Sequence, residues 1–277
     1  IETARKMYIY AKKSKFLNPV GIHFHIGSQL TDISPICDAA KIVSDLLREL
    51  RALEIDIKFF DVGGGIGIRY EDEKQIVLYD YAQGILKSLS GLDVTIVCEP
   101  GRFIAGAAGV FLTRVLYEKQ NCGKRFVIVD GAMNDLIRPS LYGAHHAIEI
   151  VSASESINLN EPGASEVNLG GRGSDQTNCS CVDEKISSAN LVEASLCDIV
   201  GPICESGDFL AKGVSLPSLQ SGALLAIKSA GAYGFSMSSN YNTRCRAAEV
   251  AVYDGQDRLI RKRESFDDLI ALEKDFV

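Results

Sequence analysis

Three runs of the sequence decide the fold: Val20-Gly-Ile-His-Phe-His25, Ile57-Lys-Phe-Phe-Asp-Val62 and Val94-Thr-Ile-Val-Cys-Glu99. They begin at residues 20, 57 and 94, so they repeat every 37 residues, and each is followed by a turn that contains glycine. Short runs that are rich in branched residues and bounded by Gly or Pro are typical of β-strands. The sequence therefore predicts three strands at a fixed spacing.

Helical patterns lie between these strands. From Ile36 to Leu50, apolar residues recur every three or four positions, and charged residues occupy the opposite face. Pro35 is compatible with this helix only within its first turn. A shorter helix is predicted from Tyr79 to Leu89. Units of strand, loop and helix at a fixed spacing are typical of a parallel sheet.

Two α/β architectures contain such a sheet, a barrel and an open doubly wound fold. Functional groups of a barrel gather at the C-terminal ends of its strands, and each run here ends in chemically unusual residues. This favours the last part of a (β/α)8 TIM-like barrel over residues 1–108. Only three of eight strands are accounted for, and the chain does not begin with Met. We therefore expect on the order of 150 further barrel residues upstream.

Residues 109–277 have a different pattern, which predicts a mostly antiparallel β-barrel or sandwich domain. Helical periodicity is scarce there, and a short turn at Asp254-Gly255 joins two strand-like runs into a hairpin. The predicted strands are Arg125–Asp130, Leu224–Lys228, Val250–Tyr253 and Arg258–Arg261. Before them, Phe103–Tyr117 is interpreted as an apolar connector between the two domains.

A segment at about residues 152–194 is rich in Ser, Asn, Gly and Glu. This composition predicts a mobile surface insertion of the second domain. Its closely spaced Cys179 and Cys181 are interpreted as free thiols, because a zinc site needs two further ligands that the sequence does not place.

Composition excludes several classes of protein. The net charge is −7, whereas nucleic-acid binding calls for a basic face. No run of 18 apolar residues free of charge is present, so no membrane-spanning helix is expected. The first residues lack the apolar core of a secretory signal. The eight cysteines are therefore expected to be reduced thiols in the cytoplasm.

The turns after the second and third strands suit an anion. Asp61-Val-Gly-Gly-Gly65 offers backbone N–H groups that can close on a negative charge, although a plain tight turn also explains it. The spacing does not match the dinucleotide-binding fingerprint. In Glu99-Pro100-Gly101-Arg102, Pro and Gly fix a rigid turn, and the Arg fork can bind phosphate or carboxylate. The alternative is an internal pair between Glu99 and Arg102.

His23 and His25 lie on the same face of the first strand. At least one of them is expected to be a hydrogen-bonded interior histidine. A metal pair would need ligands from other strand ends, and the two remaining histidines, His145 and His146, lie in the other half. We therefore predict no metal site.

Three segments of the second half carry reactive or anion-binding side chains. Cys204-Glu205-Ser206 follows the turn at Gly201-Pro202, which is a better setting for chemistry than for packing. Tyr233 lies among glycines, so its ring is expected to be presented to a ligand. In Arg138-Pro-Ser-Leu-Tyr142, Arg and Tyr can jointly hold a carboxylate. Simple packing explains each of these segments equally well.

In their order along the chain, six motifs resemble those of the alanine-racemase-like, fold type III, pyridoxal-phosphate-dependent decarboxylases, and among these the diaminopimelate decarboxylase branch. They are His25-Ile-Gly-Ser28, Asp61-Val-Gly-Gly-Gly65, Glu99-Pro-Gly-Arg102, Arg138-Pro-Ser-Leu-Tyr142, Gly201-Pro-Ile-Cys-Glu-Ser206 and Gly231-Ala-Tyr233. The resemblance extends from about Pro19 to Arg263, apart from the insertion. Ornithine-type relatives usually carry Asp where this chain has Glu205.

The resemblance implies a carboxy-lyase of lysine biosynthesis that converts meso-2,6-diaminopimelate into L-lysine and CO2. It implies a cytoplasmic homodimer with shared active sites and pyridoxal 5'-phosphate (PLP) as cofactor. The implied cofactor-binding residues are His25, Ser28, Gly63, Gly64, Gly65, Glu99, Pro100, Gly101, Arg102 and Tyr233. The implied substrate-binding residues are Arg102, Arg138, Tyr142, Glu205 and Tyr233.

Three of the implied residues are catalytic: His25 stacks on the cofactor ring, Glu99 faces the ring nitrogen, and Cys204 of the other subunit donates a proton. Loss of CO2 leaves a carbanion, for which PLP is the electron sink. A carboxylate beside the ring nitrogen keeps that nitrogen protonated. The distal end of the substrate is a zwitterion, and two arginines with one glutamate match its charges.

The chain departs from the family at one point. The Schiff-base lysine of the family lies on the first barrel strand in a Lys-Ala-Asn-like motif, which does not occur here. Lys228 lies in the β domain and is no substitute. We therefore hypothesise that the working enzyme has an upstream segment and that the isolated chain lacks the attachment point. Two alternatives stay open, a decarboxylase of another basic amino acid or carboxy-polyamine, and a catalytically dead regulatory homologue.

Overall fold

The computed structural model of the chain describes residues 1–151 and 194–276. Most of the predicted insertion, with Cys179 and Cys181, lies outside the described residues. The helices are α1 (Glu2–Lys13), α2 (Ser34–Ala52), α3 (Leu78–Ser88), α4 (Gly101–Ala105), α5 (Arg138–Tyr142) and α6 (Phe266–Leu269). The strands are β1 (Gly21–His23), β2 (Phe59–Asp61), β3 (Thr95–Val97), β4 (Phe111–Asn121), β5 (Lys124–Val129), β6 (Ile148–Val151), β7 (Ser195–Val200), β8 (Phe209–Leu216), β9 (Leu224–Ile227), β10 (Glu249–Tyr253) and β11 (Gln256–Arg261).

The three repeated runs form a parallel sheet in the order β1-β2-β3, as the sequence predicts. Gly21 pairs with Phe59, and Phe59 pairs with Thr95. The predicted helices between them are present as α2 and α3, and Pro35 lies in the first turn of α2. Each strand has three residues, so the polar ends of the runs project beyond the sheet.

The core of this half is built where α2 and α3 cover the sheet. Phe60 of β2 is fully buried and packs edge to face against Phe24, with 5.9 Å between ring centroids. Leu47 and Leu50 on one face of α2 are also fully buried in this core. By contrast, α1 buries none of its residues. The parallel strands are therefore fixed by apolar contacts on the face that α2 and α3 cover.

The second half contains a six-stranded mixed sheet in the order β6-β9-β4-β5-β7-β8, together with the separate hairpin β10-β11. All neighbouring strands in both are antiparallel except β5 and β7, which are parallel. The predicted strands correspond to β5, β9, β10 and β11. In the part of the chain that the structure describes, no helix is both long and apolar enough to cross a membrane.

The segment Phe103–Tyr117 is not a connector, and that expectation was wrong. It ends α4 and begins β4, which pairs with both β5 and β9 in the interior of the mixed sheet. Within β4, Thr113 and Val115 are almost fully buried, whereas Leu112 and Leu116 on the other face are exposed. An antiparallel strand in the interior of a sheet commonly packs one face on the core and leaves the other face to solvent.

Arg125 of β5 fastens the mixed sheet at one end. Its guanidinium is paired with Glu118 of β4 and donates to the carbonyl oxygens of Leu216 at 2.7 Å and Pro217 at 2.6 Å. It also donates to Ser195 of β7. One buried cation therefore holds the ends of four strands together.

Replacement of Arg125 by Met is expected to lower the free energy of unfolding by about 3–5 kcal/mol, because it leaves the Glu118 carboxylate without its buried partner. Arg258→Met on the exposed face of β11 is the matched control, with an expected change below about 0.5 kcal/mol. Urea denaturation of the purified protein measures both. Equal stability of the two variants would contradict this role of Arg125.

Candidate functional site

The ends of the three parallel strands converge on one another. The Gly64 N–H donates to Nδ1 of His25 at 3.2 Å, and the Glu99 N–H donates to the Gly63 carbonyl at 2.8 Å. His25, the glycine triplet and Glu99 come from three different runs of the repeat. The structure therefore brings together the residues that the sequence places at the three strand ends.

The glycine triplet is required by the closeness of the neighbouring chain segments. A Cβ atom at Gly64 would lie 2.4 Å from the Glu99 carbonyl oxygen, and one at Gly65 would lie 2.3 Å from the Gly27 carbonyl oxygen. Gly65 also has a φ of +103°, which side chains disfavour. Its N–H has no acceptor among the described residues, so it is available to an anion.

Glu99 is surrounded by polar groups but forms no ion pair with Arg102. Its Oε2 lies 3.6 Å from Nε2 of His23. Donor atoms of His23, Asp61 and Glu99 lie within 4.8 Å of one another, which is a compact enough group for a metal ion. The internal Glu99–Arg102 pair, one alternative from the sequence, is absent from the described contacts.

Arg102 is held at the start of α4, just after Pro100 and Gly101. One terminal nitrogen donates to the Tyr70 hydroxyl at 2.7 Å, and the other donates to Oγ of Ser28 at 3.1 Å. Its Nε is buried and has no hydrogen-bond partner in the described part of the chain. An unsatisfied buried donor on a cation indicates a place for an anion.

Arg138 is buried at the start of α5 and points to the same tyrosine. Its Nη1 donates to the Tyr70 hydroxyl at 2.8 Å and lies 3.2 Å from Nε2 of His146. Tyr142, the predicted companion of Arg138, ends α5 with its side chain exposed. The sequence singled out Arg138 as a candidate but did not indicate Tyr70 or a role for His146.

The two guanidinium groups have no compensating carboxylate. Both donate to one neutral oxygen, and within residues 1–151 and 194–276 neither has an acidic oxygen within 4 Å. The ring of Tyr233 faces both, at 5.3 Å from the Arg102 guanidinium carbon and 5.9 Å from that of Arg138. Two adjacent cations without a counter-charge form a site for an anion such as carboxylate or phosphate.

Cys204 and Glu205 lie on a separate exposed loop. Glu205 accepts a hydrogen bond from the Tyr241 hydroxyl at 3.3 Å. The loop packs against α5, since a Cβ atom at Gly207 would lie 2.7 Å from Oγ of Ser140. None of the described hydrogen bonds of this loop reaches the strand ends. The structure thus groups the predicted residues into two sets.

His146 is held neutral in the interior. Its Nδ1 lies 2.9 Å from the Lys228 carbonyl, which can only accept, and its Nε2 faces the Arg138 donor. Nδ1 therefore carries the proton and Nε2 is the acceptor. Burial lowers the pKa of His146, the Lys228 carbonyl opposes this shift, and nearby Arg138 adds to it. A neutral imidazole thereby orients Arg138.

Residues 7–231 match the family model described as "Pyridoxal-dependent decarboxylase, C-terminal sheet domain". The whole chain is 56% identical to a diaminopimelate decarboxylase from Campylobacter jejuni, and 98% of it is 50% identical to one from Helicobacter pylori strain J99. A crystal structure of Helicobacter pylori diaminopimelate decarboxylase complexed with L-lysine is similar to the whole chain, with a TM-score of 0.82 and 47% identity. The chain spans 60%, 58% and 60% of these three proteins, respectively.

The lowered pKa of His146 makes stability depend on pH. Below the ordinary imidazole pKa of about 6.5, the unfolded chain takes up a proton that the buried imidazole resists, so stability is present above this pH and is lost as the pH falls. The free energy of unfolding is expected to fall by up to about 1.4 kcal/mol per pH unit as the pH decreases. His146→Gln should remove the contribution of His146 to this fall. Urea denaturation between about pH 5.5 and pH 7.5 measures it. His145→Gln, at the exposed neighbour, should keep the loss; identical curves for wild type and His146→Gln would contradict the assignment.

Proposed function

The chain belongs to the pyridoxal-dependent decarboxylases, and we propose that the full-length protein containing it decarboxylates meso-2,6-diaminopimelate to L-lysine and CO2. The chain spans 60% of the length of its Campylobacter jejuni relative, so this activity is proposed for the whole protein. The observation that carries the proposal is the pair Arg102 and Arg138, which share the Tyr70 oxygen without a carboxylate nearby. A substrate with a second carboxylate at its distal end supplies the missing charge.

The strand ends fit PLP as cofactor. The free Gly65 N–H and the Ser28 hydroxyl beside Arg102 are donors for a phosphate, and Pro100 and Gly101 shape the same turn. The Gly64 N–H fixes the imidazole of His25 by a hydrogen bond, which presents one face of that ring to a flat ligand. When bound, PLP supplies an electron sink for the carbanion that decarboxylation leaves.

Glu99 faces the pyridine nitrogen of PLP in this proposal and keeps that nitrogen protonated. Its carboxylate is half-exposed, and no Arg or Lys pairs with it in the described ranges. A carboxylate next to a protonated base stabilises the charged form of that base. His23, at 3.6 Å from Glu99, is then a neighbour of this carboxylate rather than a ligand of a metal ion.

The distal end of the substrate is bound by charge. Arg102 and Arg138 bind the distal carboxylate with Tyr142 at the end of α5, and Glu205 binds the distal ammonium group. Tyr233 faces both arginines and touches substrate and cofactor. Ornithine or lysine, when bound as a substrate with its one carboxylate at the reacting carbon, has no carboxylate at the distal end, so it leaves the two cations unpaired and binds weakly. L-Lysine bound as the reaction product instead places its one carboxylate at the distal position.

In this proposal the full-length protein contains a PLP-binding (β/α)8 barrel, and residues 1–108 are the last part of it. A β-barrel or sandwich domain follows over residues 109–277. The outer edges of β1 and β3 are unpaired in the described sheet, and further strands of the full-length protein would cover them. The six described cysteines are all free thiols, which supports a cytoplasmic protein.

The protein works as a homodimer in which Cys204 of one subunit completes the site of the other. In support, the Cys204 loop has no described hydrogen bond with the strand ends of its own chain. A thiol positioned beside the reacting carbon can act as a general acid. Isologous interfaces of this kind bring two copies of a site together about a two-fold axis.

The purified full-length protein with PLP is expected to release CO2 from meso-diaminopimelate and to form L-lysine. Turnover of ornithine, arginine and carboxynorspermidine should be at least about 100-fold lower in kcat/KM, because each leaves a charged group of the site unpaired. Manometry and amino-acid analysis measure both products. A higher kcat/KM for another substrate would favour the related decarboxylase, and binding of PLP without turnover of any substrate would favour the dead homologue.

Cys204→Ser is expected to lower kcat by about 100-fold or more without loss of PLP binding, since it removes the general acid. Cys122→Ser, at another exposed thiol, should have no effect. Mixing inactive Cys204→Ser and Glu99→Gln subunits should restore about a quarter of wild-type activity if the site is shared across a two-fold axis. No recovery after the subunits have exchanged would contradict the shared site.

A further inference from the structure

Tyr70 occupies the centre of the arginine pair, and neither the motifs nor the comparisons assign it a role. It follows the glycine triplet in the sequence, and its hydroxyl lies 2.7 Å from an Arg102 nitrogen and 2.8 Å from an Arg138 nitrogen. Both guanidinium groups also lie over its ring, with the central carbons 5.9 Å and 5.4 Å from the centroid. Tyr70 therefore contacts both cations through both its oxygen and its ring.

The hydrogen-bonding capacity of the Tyr70 hydroxyl is only partly used. A phenol oxygen accepts through two lone pairs and donates one proton. Guanidinium groups can only donate, so the two arginines fill both acceptor positions. The hydroxyl proton has no acceptor among the described residues. A carboxylate or phosphate oxygen bound between the two cations can accept this proton.

The ring of Tyr70 is fixed by packing. It lies edge to face with the imidazole of His146, with 5.5 Å between ring centroids. His146 is almost fully buried and is itself anchored to the Lys228 carbonyl. His146, which also contacts Arg138, thus places the Tyr70 ring next to the arginine pair.

We propose that Tyr70 is a further substrate-binding residue, whose hydroxyl sets the spacing of the Arg102 and Arg138 guanidinium groups and donates its own proton to the carboxylate they bind. The inference rests on the proposed function, in which this carboxylate belongs to the distal end of the amino acid. A phosphate has the same chemistry, and the cofactor brings one, so the test separates the two sources.

Tyr70→Phe in the full-length protein removes the hydroxyl and keeps the ring. L-Lysine and cadaverine are the probes, because they differ only in the distal carboxylate. Binding to the PLP-loaded protein is measured by calorimetry. The Kd of L-lysine is expected to rise about 10- to 100-fold, as for loss of a hydrogen bond to a charged group, and the Kd of cadaverine to change less than about twofold. Tyr117→Phe, at an exposed tyrosine of β4, is the matched control.

Three results would overturn the inference. Unchanged Kd values for both L-lysine and cadaverine in Tyr70→Phe would show that the hydroxyl does not touch the carboxylate. Equal weakening of both ligands would show a purely structural role. A weaker affinity for PLP, measured by equilibrium dialysis, with an unchanged ligand preference would assign the hydroxyl to the phosphate. If the wild type itself shows no such preference and no turnover of meso-diaminopimelate, the proposed function fails as well.

Discussion

Two positive charges held on one neutral oxygen are the constraint on which the site depends. Like charges at close range repel by a few kcal/mol even at an effective dielectric constant of about 20. Arg102 and Arg138 stay adjacent because Tyr70 accepts from both, and because His146 engages Arg138 as a neutral acceptor. An anion between the arginines converts this repulsion into attraction, so the geometry selects a ligand with a negative charge at this point.

The same arrangement explains why the two halves of the chain must be docked for the site to exist. Arg102 belongs to the half with the parallel sheet, whereas Arg138 belongs to the half with the mixed sheet. The turn that carries Tyr233 is fastened to the end of α4 by a hydrogen bond from the Gly231 N–H to the Gly106 carbonyl at 3.1 Å. A Cβ atom at Gly231 would lie 2.0 Å from the Ala105 carbonyl oxygen, so this contact depends on glycine.

Local pattern was enough to predict the parallel strands and their helices, because each run is short, branched and bounded by glycine or proline. It was not enough for β7 and β8. The pairing of these strands shifts register twice, and Gly213 within β8 has a φ of +65°, so neither shows the alternation that marks a strand. Helix α1 was missed because it buries no residue. The apolar start of β4 was taken for a connector because a central strand and a linker through the core have the same composition.

The site residues also divide into those that the sequence indicates and those that only the fold reveals. The glycine triplet and the turn from Glu99 to Arg102 were recognisable because a residue type with special backbone or charge properties stands at each strand end. Tyr70 and His146 carry no such mark, since tyrosine and histidine occur in many loops without a role. Their importance comes from their contacts in the fold. The Tyr70 oxygen accepts from two cations, and Nδ1 of His146 is bound to a carbonyl. That information is created only when distant segments meet, so a sequence can supply the charged groups of such a site while the groups that set their spacing have to be found in the fold.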